Sequence, residues 1–195
     1  MPANELENLM TEIVVIGGGP AGLSAALVCA RRGLDTTVIE KRSFPVIKAC
    51  GEGLMPGGVD SLKRLVPQEL INKTEYYQFA GIRYIAPNGE CASGYFGKGD
   101  GWGIERSELS KLLSQAVEQE PGINIIENTV ATVEGSAEQP IVHFNSQTLR
   151  PKLLIAADGL HSLIRRWAEL NGPPSKLKRW GLRQHYQITP WTNLV

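Results

Sequence analysis

The sequence predicts an α/β fold, with a mainly parallel sheet and an inserted β-hairpin. Three observations carry this reading. The short apolar run Ile13-Val14-Val15-Ile16 passes straight into Gly17-Gly18-Gly19-Pro20-Ala21-Gly22. An alanine-rich stretch of helical character follows, and Thr36-Thr37-Val38-Ile39 then leads into Glu40. Far downstream, a second continuous apolar run, Leu153-Leu154-Ile155-Ala156-Ala157, ends in Asp158-Gly159. Strand, glycine turn, helix, strand and acid in that order form the βαβ unit of a Rossmann-like, dinucleotide-binding fold.

Each position of the fingerprint has a physical task. Gly17 permits the tight turn out of the strand. Gly19 lacks a Cβ, so backbone can approach a pyrophosphate. Gly22 lets helix and sheet pack closely. Pro20 suits a first helical turn, and the free N–H groups and positive dipole end of the helix then face the phosphates. Glu40 follows Gly22 at about the roughly 20-residue separation expected of the acid that binds a ribose hydroxyl. Its charge disfavours a 2′-phosphate, an objection that Lys41 and Arg42 soften. The bound half is therefore read as the AMP of FAD or NAD.

The remaining elements follow from period and punctuation. Residues 20–32 form the first helix, with Gly33 past its end. Residues 43–53 read as a loop. Residues 56–66 are helical, with Val59, Leu62, Leu65 and Val66 on one face. Residues 81–85 and 90–96 alternate around Pro87-Asn88-Gly89 and predict a β-hairpin. Residues 97–103 read as a glycine-rich connection. Residues 107–118 form an amphipathic helix through Leu109, Leu112, Leu113, Ala116 and Val117. Strands are expected at 123–126, 130–133 and 141–144. The run at 153–157 has the pattern of a strand buried on both faces. Gly172-Pro173-Pro174 marks a break, after which 184–188 has the character of another strand.

Composition excludes several classes. The 195 residues carry 20 Lys and Arg against 20 Asp and Glu, so nothing points to nucleic acid. Cys29, Cys50 and Cys91 are odd in number and far apart, with neither metal spacing nor a disulfide framework, which favours a reducing compartment. Residues 1–7 are acidic and unlike a signal peptide. No apolar run reaches the roughly 20 residues of a membrane span. A cytoplasmic location is the resulting expectation.

Some residues keep two readings. Asp158 can cap the helix that follows or face a cofactor crevice. Cys50, between small residues, can lie against a cofactor ring or be redox-active, or else be a buried inert thiol. Arg106 is a surface arginine, mildly misplaced at a helix start, or a cofactor ligand. His143 reads as structural. His161 has no evident acid–base partner.

Taken together, the motifs resemble the FAD-dependent para-hydroxybenzoate hydroxylase family, which includes the geranylgeranyl reductase-like oxidoreductases. The residues that carry the resemblance are Gly17, Gly19 and Gly22; Arg106 in Trp102-Gly103-Ile104-Glu105-Arg106-Ser107-Glu108-Leu109; and Asp158-Gly159 with Ser162 and Arg165. The segment Lys48-Ala49-Cys50-Gly51-Glu52-Gly53-Leu54 looks like the flavin-proximal loop of the reductase-like branch. The resemblance implies FAD as cofactor and NAD(P)H as reductant. It implies ribose binding by Glu40, contact of Arg106 with flavin or phosphates, and a cofactor role for Asp158-Gly159. Lys41, Cys50, Gly51 and Val130 join the same cofactor-binding set. The partner implied is a small organic or prenyl substrate, either hydroxylated or reduced at a double bond.

By the same resemblance, residues 1–172 are expected to form the FAD-binding domain and 173–195 to begin an incomplete substrate domain. The family's later Gly-Asp motif has no counterpart after Arg106, since Gly99-Asp100 precedes it. The expectation is a truncated chain, or else a non-catalytic dinucleotide-binding module.

Overall fold

The computed structural model describes residues 11–173 and 180–195. The acidic residues 1–7 and Pro174 lie outside them. In chain order the first elements are β1 (Ile13–Ile16), α1 (Pro20–Ala30), β2 (Thr36–Ile39), β3 (Gly53–Leu54), α2 (Pro56–Leu65), α3 (Gln68–Ile71), β4 (Tyr77–Phe79), β5 (Gly81–Ile85) and β6 (Cys91–Tyr95). They are followed by β7 (Gly101–Gly103), α4 (Arg106–Glu118), β8 (Ile123–Ile126), β9 (Thr132–Gly135), β10 (Pro140–Phe144), β11 (Gln147–Leu149), β12 (Leu153–Ala156) and α5 (Leu163–Trp167).

The central sheet is parallel, in the spatial order β12-β1-β2-β8. The chain moves outward from β1 through β2 to β8, then returns to the other side of β1 as β12. This reversal makes the C-terminal ends of β1 and β12 the place where an open α/β sheet has a crevice.

Alternate residues of β1 serve two cores. Ile13 and Val15 pack with Leu23, Ala26 and Leu27 of α1 and with Leu112, Leu113, Ala116 and Val117 of α4. Val14 and Ile16 pack with Val142, Phe144 and Ile164. The sheet is thus covered by helices on one side and, on the other, by the antiparallel sheet β11-β10-β9 together with α5.

The hairpin is present as β5 and β6. Three expectations change. Residues 97–103 are not merely a connection, because β7 is the middle strand of a small antiparallel sheet, β3-β7-β4. Trp102 accounts for this: it is 1% exposed and stacks on Tyr76 with ring centroids 3.9 Å apart. The strand at β12 is an edge, with Leu153 exposed and Leu154 and Ile155 half-buried, since only β1 flanks it. Residues 184–188 form no strand; pairing with β5 occurs instead at 193–195, through Ala80 N–H to the Asn193 carbonyl (2.7 Å) and Arg83 N–H to the Val195 carbonyl (2.7 Å). The side chains of Leu182, Tyr186 and Ile188 are exposed, so no burial holds that stretch in a sheet. Among the described residues, no helix is long and apolar enough to cross a membrane.

Candidate cofactor site at the sheet switch point

The glycine turn follows from close contacts. Gly17 has φ +108°, and a Cβ there would stand 2.3 Å from the Ala157 carbonyl oxygen. A Cβ on Gly22 would stand 1.9 Å from the Gly17 carbonyl oxygen. These two glycines let β1, α1 and the end of β12 come together. Gly19 differs: its φ is −75°, and the nearest atom to a Cβ would be a guanidinium nitrogen of Arg106 at 3.7 Å. Its missing side chain opens a space rather than relieving a clash.

Gly19 caps α1 without a side-chain hydrogen bond, and the first turn holds no acidic residue. Pro20 has no N–H, while Ala21 is exposed. The positive helix end is therefore unneutralised within its own first turn.

Glu40 is 6% exposed and lies just past β2. Its Oε2 accepts the Gly18 N–H at 2.5 Å and its Oε1 accepts the Arg42 N–H at 3.1 Å. The acid thus holds the glycine turn from below. Each carboxylate oxygen keeps a further lone pair for another donor. The Thr129 N–H donates to the Glu40 carbonyl at 3.0 Å, which sets Val130, 69% exposed, beside this corner. Val130 itself precedes the strand expected to include it. Lys41 is exposed at the same rim.

Arg106 opens α4, and its N–H donates to Glu52 Oε1 at 2.8 Å. Its Nε is buried with no hydrogen-bond partner among the described residues. β7, pinned by Trp102, delivers this arginine to the glycine turn.

Asp158 fulfils the capping reading and leaves room for the other. Its Oδ2 accepts the Leu163 N–H at 2.9 Å, whereas its Oδ1 is buried and has no partner among the described residues. Ser162 is the formal cap of α5, accepting the Arg165 N–H at 2.9 Å. Gly159 has φ +89°, and the Lys48 ammonium stands 3.2 Å from where its Cβ would be. Cys50 and Gly51 are exposed, which removes the reading of Cys50 as a buried thiol.

The structure brings together Gly17, Gly19, Gly22, Glu40 and Arg106 by direct contacts, with Ala157 and hence Asp158 beside Gly17. It adds two residues to which no individual role was assigned from the sequence. Lys48 was signalled only as part of its loop. For Glu52 the local signal is an acid set between Gly51 and Gly53 in that same loop. His143 lies in β10, with Nδ1 3.0 Å from Thr148 Oγ1 and Nε2 3.3 Å from Glu134.

A parallel sheet with a glycine turn, a buried acid just past its second strand and an Asp-Gly at its switch point has the form of a dinucleotide-binding domain. Residues 10–184 match the FAD binding domain family, and the chain belongs to it. It is 31% identical over 170 residues to digeranylgeranylglycerophospholipid reductase 1 of Methanothermobacter thermautotrophicus, covering 82% of this chain and 42% of that protein. It is 30% identical over 178 residues to menaquinone reductase of Mycobacterium tuberculosis, covering 89% of this chain and 41% of that protein. Among solved structures, PqsL of Pseudomonas aeruginosa in complex with 2-aminobenzoylacetate superimposes with a TM-score of 0.75 at 17% identity, covering 86% of this chain and 48% of that one. That likeness shows the fold alone. The chain spans about two-fifths of the length of these reductases. The fold and family agree with a Rossmann-like FAD-binding domain of the hydroxylase and reductase group.

Proposed function

We propose that the chain forms the FAD-holding part of an NAD(P)H-linked reductase of a prenyl-bearing substrate. The observation that carries the cofactor assignment is the crevice at the switch point. There, beside an open Gly19, Arg106 Nε and Asp158 Oδ1 offer a donor and an acceptor without partners among the described residues. Buried polar groups without partners are rare in folded proteins, and a polyanionic, hydrogen-bonding ligand satisfies both kinds.

The residues present fit FAD. Gly17, Gly19, Pro20, Ala21 and Gly22 would receive the diphosphate, with Arg106 and Lys48 supplying positive charge. Glu40 would take the ribose, and Lys41 and Val130 would border the adenosine. Cys50, Gly51, Asp158 and Gly159 would line the flavin side. Bound FAD supplies hydride transfer, and the protein orients and tunes it. Residues 1–172 are read as the FAD-binding domain and 173–195 as the start of a substrate domain.

The choice of a reductase over a hydroxylase draws on the Lys48–Leu54 loop and on the reductases named above. The second reading is a non-catalytic FAD- or dinucleotide-binding module, and flavin binding without any product would support it.

The test begins with flavin absorbance of the purified protein, or its gain on reconstitution. Anaerobic reduction by NADPH and by NADH follows, then product analysis with prenyl and aromatic substrates. NAD binding without FAD binding would sink the cofactor assignment. Hydroxylated product without double-bond reduction would sink the reductase.

A further inference from the structure

We propose that Glu52 is a positioning residue that clamps the segment 183–185 and the start of α4 against the cofactor cradle, through the convergence of Arg106, Arg183 and His185 on one carboxylate. The inference rests on the FAD reading only for what the cradle holds.

Glu52 lies in the loop between Cys50 and β3, with φ +54°, a backbone state uncommon for a residue with a side chain. Its carboxylate is largely enclosed, with 14% side-chain exposure. Oε1 accepts the Arg106 N–H at 2.8 Å and also the Arg183 guanidinium. Oε2 accepts the His185 Nε2–H at 2.6 Å. The Glu52 backbone joins in, since the Ile104 N–H donates to its carbonyl at 2.9 Å. Glu105 faces the same histidine, with Oε1 4.0 Å from Nδ1. One side chain therefore ties together three parts of the chain: the loop bearing Cys50, the helix start whose arginine reaches Gly19, and a segment more than 130 residues away.

A left-handed backbone at a glutamate persists when the surroundings over-determine it. Here those surroundings are three hydrogen bonds to the carboxylate of Glu52 and one to its backbone carbonyl, the three on the carboxylate ending on an ionised acceptor. Charge-assisted bonds of this kind are roughly twice as strong as neutral ones. The segment from Trp180 to Trp191 is otherwise exposed along much of its length. Release of the clamp would therefore free the segment and loosen the α4 start that carries Arg106.

Two substitutions separate the two arms. Glu52→Gln keeps an acceptor for the Arg106 N–H but removes the charge that holds Arg183 and His185. Glu52→Ala removes both arms. Backbone NMR order parameters at residues 183 and 185 should fall from about 0.85 to below about 0.6 in both variants. Amide exchange at Arg106 should stay slow in Glu52→Gln and quicken about 10-fold in Glu52→Ala, the equivalent of about 1.4 kcal/mol. FAD affinity should weaken about 5- to 10-fold in Glu52→Gln, within the usual range for coupled sites. The double variant Arg183→Met/His185→Gln should reproduce that weakening, and adding Glu52→Gln to it should change little more. Unchanged order parameters in Glu52→Gln would overturn the clamp. An FAD effect of Glu52→Gln that persists in full in the double-variant background would overturn its link to the cradle. A chain that binds no FAD would defeat the functional reading, while the order parameters and exchange rates would still decide the clamp.

Discussion

Replacing Gly19 and Gly22 in turn by alanine should separate a glycine kept for a ligand from one kept for packing. A Cβ at Gly22 would meet the Gly17 carbonyl oxygen at 1.9 Å and the Ala157 Cβ at 3.2 Å. The closer contact is backbone at a turn fixed by its own φ of +108°, so no side chain can swing away. Helix α1 cannot slide freely either, because Leu23, Ala26 and Leu27 are fully buried. Overpacking typically destabilises by about 1–3 kcal/mol, and better helix propensity returns at most about 1 kcal/mol. With a backbone clash this close, we expect a net loss of about 2 kcal/mol or more in Gly22→Ala. For a chain of this size that lowers Tm by roughly 4–8 °C. At Gly19 a methyl group meets only Arg106 at 3.7 Å, so Gly19→Ala should leave stability within about 0.5 kcal/mol. The methyl would instead occupy the space through which backbone approaches the diphosphate, and FAD affinity should drop at least about 10-fold, or about 1.4 kcal/mol. Urea denaturation of the cofactor-free protein and a flavin fluorescence titration measure the two effects. Equal destabilisation by the two substitutions, or unchanged FAD affinity in Gly19→Ala, would refute the division of labour.

Other substitutions test the supports of the site. Glu40→Ala strips the acceptor from the buried Gly18 N–H, so the cofactor-free protein should lose about 1–3 kcal/mol while Glu40→Gln loses less; an unchanged urea midpoint in Glu40→Ala would contradict this. Trp102→Ala should destabilise by about 3–5 kcal/mol through loss of a fully buried ring stacked on Tyr76, and calorimetry that finds a neutral change would count against the role of β7. Asp158→Ala should weaken the start of α5 by about 1 kcal/mol, and the loss should be read as reduced amide protection at Leu163. For Glu52, burial pushes the carboxyl up, but the Arg106 N–H, the His185 hydrogen bond and the Arg183 charge together hold it below the ordinary 4.5. Its folded value is depressed, so its contribution is complete above about 4.5 and is lost as pH falls through the folded value. Wild-type stability should thus fall more steeply than that of Glu52→Gln on acidification below that point, and parallel curves would remove Glu52 from the acid response.

What could be read from the sequence was local. β1, the glycine turn, α1, β2 and Glu40 lie within one short stretch, and each signal sits beside the next. The hairpin declared itself through Pro87-Asn88-Gly89. β7 did not, because Gly101-Trp102-Gly103 has one side chain and no alternation; only its pairing with β3 and β4 makes it a strand. An apolar run such as Leu153–Ala156 tells of burial but not of position, so an edge strand was read as an interior one. Gln147–Leu149 and Gln68–Ile71 were too short to show a period. In the site, glycine and acid positions were legible through spacing. The reach of Arg106 to Gly19, and of Arg183 and His185 to Glu52, depends on tertiary placement that no spacing encodes.

The arrangement also explains how two short motifs some 140 residues apart can serve one site. The strand order places β12 directly beside β1, in register from Ile13 with Leu153 to Ile16 with Ala156. The residues after each strand therefore emerge side by side: Gly17 against Ala157, and Asp158 next to it. Their polar groups are already fixed by the chain itself. Glu40 is held by two backbone N–H groups and Asp158 by the first turn of α5. A ligand entering this crevice meets acids whose geometry is set before it arrives, so less binding free energy is lost in ordering them. The groups without partners among the described residues, Arg106 Nε and Asp158 Oδ1, are offered at the starts of two different helices, α4 and α5. Selectivity for a ligand that satisfies both would then reside in the fixed relation between those helices and β1, not in the glycine turn alone.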